Sequence, residues 1–178
     1  MVREIDVLTS KQSFQTMEGE SSRAIAQDYI NYRLNVNGHV WHNGRDGNIT
    51  PSPVENAMRS LGDEFEQRFR DRFDDMINQL HVTEQNAYDT FHAIVAETFA
   101  DGVNWGRIVA LFGFAGRFAI QCYTNNMQNL VDNIVDWVSS YMDNHLSNWI
   151  SQHNGWVRFY HKIIFLKYSL DHYIEYTE

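Results

Sequence analysis

An all-helical domain is the fold class that the sequence predicts. Proline occurs only at Pro51 and Pro53, glycine becomes sparse beyond residue 62, and apolar residues recur at steps of three and four over most of the chain. With 178 residues, 43% of them apolar and 14% aromatic, the chain is long enough for one well-packed domain. At this length roughly 70% of the unfolded surface can be buried, and 11 Phe, 9 Tyr and 5 Trp supply large side chains to fill the core.

Residues 1–20 show no sustained period and read as a tail or short helix; the helical domain is expected over 21–166, with a tail over 167–178. The first stripe at helical spacing runs Ala24/Ile25, Asp28/Tyr29, Tyr32 and Val36, with Ser21 or Ser22 as its cap. Gly38 to Pro53 contains His42-Asn43-Gly44 and Asp46-Gly47-Asn48, which is turn chemistry, so it predicts a surface loop. Val54, Met58, Leu61, Phe65, Phe69, Phe73, Met76, Ile77 and Leu80 then predict a long amphipathic helix. Thr83 and Glu84 restart the pattern as cap and first-turn acid for Tyr88, Phe91, Ile94, Val95 and Phe99, and Asp101-Gly102 ends it.

Asn104 caps the next helix, which from Trp105 to Ile120 is apolar on nearly every side and therefore belongs in the middle of a bundle. Its small residues Gly113, Ala115, Gly116 and Ala119 let neighbouring backbones approach. Leu130/Val131, Ile134/Val135, Trp137/Val138 and Tyr141 make another amphipathic helix. Shorter helices follow on Leu146, Trp149, Ile150, Trp156, Phe159 and Ile163 to Leu166, separated by an Asn154-Gly155 turn.

Several classes of function are disfavoured. A charge of 14 − 23 = −9 does not suit nucleic acid, which demands a net basic face, and the arginines between Arg68 and Arg72 alternate with acids as on a solvated helix face. A lone cysteine, Cys122, forms no internal bridge; with no apolar leader, a reducing compartment, the cytosol, is expected. Ile108 to Ile120 falls short of the roughly 18 apolar residues of a membrane span and carries Arg117.

No phosphate loop, dinucleotide glycine pattern, nucleophile elbow or paired-cysteine metal motif is present. His39 and His42 read as exposed imidazoles; a helical metal-dependent enzyme using them with an acid is the alternative from another class. Cys122 reads as an inert core thiol.

Asn104-Trp105-Gly106-Arg107 joins a cap, a large aromatic, a residue without a side chain and a permanent cation. Arginine in a first turn opposes the helix dipole, so a carboxylate should compensate it. Either a partner supplies that acid through a charge-assisted pair, with Gly106 allowing close approach, or Glu97 or Asp101 supplies it internally.

Three segments carry a resemblance. Val54-x-x-x-Met58-x-x-Leu61-Gly62-Asp63-x-Phe65, Val103-Asn-Trp-Gly-Arg107 and Trp149-Ile-Ser-Gln-His-Asn-Gly-Trp156 resemble, in that chain order, the third, first and second Bcl homology regions of the B-cell lymphoma 2 family of apoptosis regulators. Ser22 to Tyr32 is similar to the fourth region, so the likeness covers roughly residues 21 to 166. It implies an all-α, eight-helix bundle whose central apolar hairpin starts at Trp105 and near Met127, and a surface groove for the homology-3 helix of pro-death relatives. Helix-in-groove recognition is a known mode for this family.

By position, the resemblance implies a groove lined by Phe65, Arg68, Phe69, Phe73 and Met76, then Ile94, Glu97 and Thr98, completed by Asn104, Gly106, Arg107, Val109 and Phe114. Arg107 would pair with the ligand's Asp. Read alone, Phe65, Phe69 and Phe73 suggest ordinary core; read with the resemblance they suggest a partly exposed trough. Thr98 stands where relatives carry an apolar residue, Asn154 replaces a glycine, and the Gly38 to Pro53 loop is shorter than in many relatives.

The implied function is pro-survival: sequestering pro-death homology-3 helices and so preventing permeabilisation of the mitochondrial outer membrane, without catalysis or cofactor. The alternative is a pro-death, pore-forming effector of the same fold, in which the helix carrying Leu61, Gly62, Asp63 and Phe65 swings out. Ile163-Ile-Phe-Leu166 is followed by Lys167, Asp171, His172 and Glu175 and cannot span a bilayer, so a mitochondrial location would need an anchor outside this chain.

Overall fold

The computed structural model describes residues 20–164, which are helical and loop throughout, without a strand. The expectations for the tails, 1–20 and 167–178, lie outside these residues except at Glu20. The described residues form α1 (Ser22–Val36), α2 (Pro53–Gln79), α3 (Ala87–Thr98), α4 (Trp105–Thr124), α5 (Leu130–Tyr141) and α6 (Ser147–Gln152). A π-helical turn, Met142–Leu146, joins α5 to α6, and residues 155–164, here α7, are again helical.

The caps fix where these helices start. Ser21 accepts the Ala24 amide at 3.0 Å and opens α1. Ser52 and Glu55 cap each other's backbone amides, at 3.1 and 2.7 Å, and Pro53 takes the first position of α2, where its missing N–H costs nothing. Pro53 thus belongs to the helix rather than to the preceding loop. Regular helix in α3 begins at Ala87, later than the Thr83 cap predicts: Thr83 and Asn86 bond each other's amides across a turn at 84–86, which delays it. Asn104 accepts the Arg107 amide at 2.9 Å, as its position predicts.

Helix α4 is the centre. Ile108, Leu111, Phe112, Ala115, Phe118, Ala119 and Cys122 are all fully enclosed, and α4 packs against α1, α2, α3 and α5. Small residues permit this crowding. A Cβ on Gly62 of α2 would lie 2.2 Å from the Tyr29 hydroxyl, and one on Gly116 of α4 would lie 2.9 Å from the Arg33 side chain. Burial in apolar surroundings pushes the Cys122 thiol up to about 12, so it is an inert filler of this core.

Buried charges join α1 to α2, a feature not foreseen from the sequence. Asp28, 1% exposed, receives two hydrogen bonds from Arg59, at 2.8 and 2.5 Å. Arg33 pairs with Glu66 and, at 2.8 Å, with Asp63, while the Tyr32 hydroxyl donates to Asp63 at 2.6 Å. Arg117, the one charge within the apolar run of α4, pairs with Asp74 of α2. Each ion meets an opposite charge, which the low interior dielectric requires.

The 38–52 loop lies on the surface but is tied down. Trp41 is buried, the Tyr123 hydroxyl donates to the Val40 carbonyl at 2.6 Å, and Asn43 donates to Asp132 at 2.8 Å. Arg45 pairs with Glu55 at the start of α2. His39 rests on the Tyr123 ring, 4.7 Å between centroids, and among the described residues no group of three His, Cys, Asp or Glu converges on a metal position. No described helix is long and apolar enough to cross a membrane.

Two outcomes check this packing. Gly62→Ala should destabilise the fold by about 1–3 kcal/mol, because overpacking against Tyr29 outweighs the gain in helix propensity; denaturant unfolding measures it, and a stabilised variant would contradict the contact. Cys122 should resist a thiol reagent at pH 8 in the native protein and react fully in denaturant. Rapid labelling of the native state would show that the thiol is not enclosed.

Candidate functional site

Cover over α4 is incomplete at its first turns. There the surface opens into a cleft of about 280 Å³ between three helices. One wall is Leu61, Glu64, Phe65, Arg68 and Phe69 of α2; the floor is Trp105, Gly106 and Val109 of α4; Phe159, Lys162 and Ile163 of α7 form the other wall. The α2 wall follows from spacing, since residues 61, 65 and 69 recur every fourth position and share a helix face.

Aromatic contacts hold the walls. Phe65 lies 4.7 Å from Phe69 and 5.5 Å from Phe73, and its ring sits over Gly113 of α4, where a Cβ would come within 3.0 Å. All three phenylalanines are half-buried. On the far side Trp105 packs against Trp149, Trp156 and Phe159 at 5.2, 5.7 and 5.2 Å, fixing α7 across the start of α4. Gly106 is exposed on the floor, and a Cβ there would meet only the Asn104 side chain, at 3.2 Å. Any larger side chain would project into the cleft.

Arg107 follows Gly106 in the chain and does not line the cleft itself. Its side chain, 29% exposed, donates to the Gly102 carbonyl at 2.6 Å and to Asp101 at 3.4 Å. Of the two internal acids considered from sequence, Asp101 is the one within reach, and it is 90% exposed. Such an exposed contact is weak. It engages two of the five guanidinium donors and leaves the cation accessible to a further carboxylate.

The thirteen expected groove residues therefore occupy several environments. Phe65, Arg68, Phe69, Gly106 and Val109 come together in the cleft. Phe73 and Met76 continue along α2 half-buried, as does Ile94 on α3. The Thr98 hydroxyl donates to the Ile94 carbonyl at 2.8 Å, so its polarity is satisfied within α3. Glu97 and Asn104 are exposed. Phe114 is 3% exposed and stacks on Phe91 at 5.3 Å, which places it in the core under α3.

Leu61 and Glu64 were within reach of the periodicity argument; Trp105 was singled out in its motif but not assigned to a wall. Phe159, Lys162 and Ile163 carry no local signal, because only the fold of α7 across α4 brings them to this place.

Comparison with known proteins adds to this geometry. Residues 58–156 match the family model described as apoptosis regulator proteins, Bcl-2 family. Bcl-2-like protein 1 of Gallus gallus is 46% identical over 111 residues, and that of Homo sapiens 43% over 111 residues; each match covers 62% of this chain and 48% of the relative. The chain thus spans about half the length of these relatives. Apoptosis regulator Bcl-2 of Gallus gallus is 34% identical, with 79% of each chain covered. The matched residues include most of α2, all of α4 and the Trp149–Trp156 segment beside the cleft, and the chain belongs to the Bcl-2 family of apoptosis regulators.

Proposed function

We propose that the protein is a pro-survival regulator that captures the amphipathic homology-3 helix of pro-death relatives in the cleft between α2, α4 and α7. The observation that carries this reading is the juxtaposition of an open, aromatic-walled cleft with an accessible cation beside its glycine floor. Four apolar side chains of a visiting helix, at steps of three and four, would enter the cleft and continue along Phe69 and Phe73. Its Asp would replace or join Asp101 on Arg107.

Glycine at 106 lets the ligand backbone approach α4, and burial of the Arg–Asp pair under the ligand makes its electrostatics stronger than those of the exposed Arg107–Asp101 contact. The similarity to proteins named Bcl-2-like protein 1 and apoptosis regulator Bcl-2 supports the survival role over the pore-forming one. The site is one for binding: its lining is apolar and basic around a single acid, Glu64, an arrangement suited to holding a helix rather than to acid–base work.

Calorimetry with a pro-death homology-3 peptide tests the reading. Arg107→Ala should weaken binding by about 2–5 kcal/mol, about 30-fold to several-thousand-fold, and its effect should not add to that of replacing the ligand's Asp. An unchanged dissociation constant would reject the pairing. In liposome dye release, the protein should suppress leakage driven by a pro-death effector; leakage driven by the protein itself would favour the effector role.

A further inference from the structure

Beside the cleft lies a second concavity, of about 700 Å³, whose charge runs against that of the molecule. The chain carries −9 overall, yet none of the residues lining this concavity is acidic. Trp105 and Trp149 form apolar parts of its wall, and His153, Arg158 and Lys162 stand around it. The His153 ring stacks on Trp149 at 3.9 Å and 18°, which orders that side. Arg158 and Lys162 are four residues apart on α7 and therefore project from one face. Both are exposed, and neither has an acid within ion-pair distance among the described residues.

The two concavities are adjacent, since Trp105 and Lys162 line both. A helix lying on Gly106 and Val109 and running past Trp105 would carry its next turn, about 5.4 Å further on, over Arg158 and Lys162. We infer that this cationic concavity reads carboxylates on the flank of the groove-bound helix, as a charge contact separate from the Arg107 pair. The inference rests on the groove reading and adds the chemistry of the preferred partner: an amphipathic helix whose end carries Asp or Glu beyond its apolar positions. Because the charges are at a rim, they act mainly by steering association and selecting among helices of similar apolar pattern.

The test uses two peptides with identical apolar positions and the same central Asp, one with two Glu in the flank and the other with Gln there. Each is measured against the full chain and against its Arg158→Gln variant, which leaves the cleft lining unaltered, at low and high salt. The full chain should bind the Glu peptide about two- to tenfold more tightly, with faster association that salt suppresses. The variant should lose most of the Glu preference, with an unchanged melting temperature, and should retain the Gln peptide's affinity. Equal binding of the two peptides by the full chain overturns the inference while leaving the groove intact. A Glu preference that is undiminished in the variant overturns it too, since the acids are then read elsewhere. Failure of both peptides to bind overturns the inference together with the groove reading beneath it.

Discussion

Helix α4 has no polar face, and the rest of the fold is a response to that constraint. From Ile108 to Cys122 nearly every turn must be shielded from water, so α1, α2, α3 and α5 pack around it. At the first turns α2 and α7 stand apart over Gly106, which is exposed, and Val109. A tertiary arrangement that buries most of one helix thus leaves a cleft over Trp105, Gly106 and Val109 at its start. In the function proposed above, a visiting amphipathic helix would supply the missing cover.

Holding Phe65, Phe69 and Phe73 half-exposed costs stability that must come from elsewhere, and the α1–α2 contact is where the structure is most elaborately tied. Asp28 with Arg59, and Arg33 with Asp63 and Glu66, fix the register of α2 on α1 below the residues that form the cleft wall. Breaking one partner of such a buried pair is far more damaging than the pair is stabilising, so these ions specify one arrangement of α2 rather than simply strengthening it. Gly62 against Tyr29 and Gly113 under Phe65 serve the same end by close approach.

Much of this was legible in the sequence, for physical reasons that differ by element. Apolar spacing located α1, α2, α4 and α5, and the Asn104 cap was readable because capping is a local interaction. Regular helix in α3 began later than expected because the Thr83–Asn86 turn competes with it. Spacing alone read Phe65 and Phe69 as core, and the family resemblance was what set them, with Gly106, beside a groove. Phe114 was not distinguishable from a groove residue, since a helix that is apolar all round gives no phase to say which side faces α3. Trp41 was hidden by its setting, an aromatic within turn chemistry, and Asp28, although it falls in the first helical stripe, gave no sign of its partner Arg59, 31 residues away, until the fold brings the two together.

The central claim is that the uncovered start of α4 is where a partner helix lies. The most direct measurement is amide chemical-shift mapping of the isotopically labelled protein as a pro-death homology-3 peptide is added. Gly106 and Val109, with Leu61 and Phe65 opposite, should show the largest changes, while Asp28 and its neighbours on the α1 face stay near their free positions. Saturable binding that leaves Gly106 and Val109 unmoved, with changes gathered on another face, would contradict it.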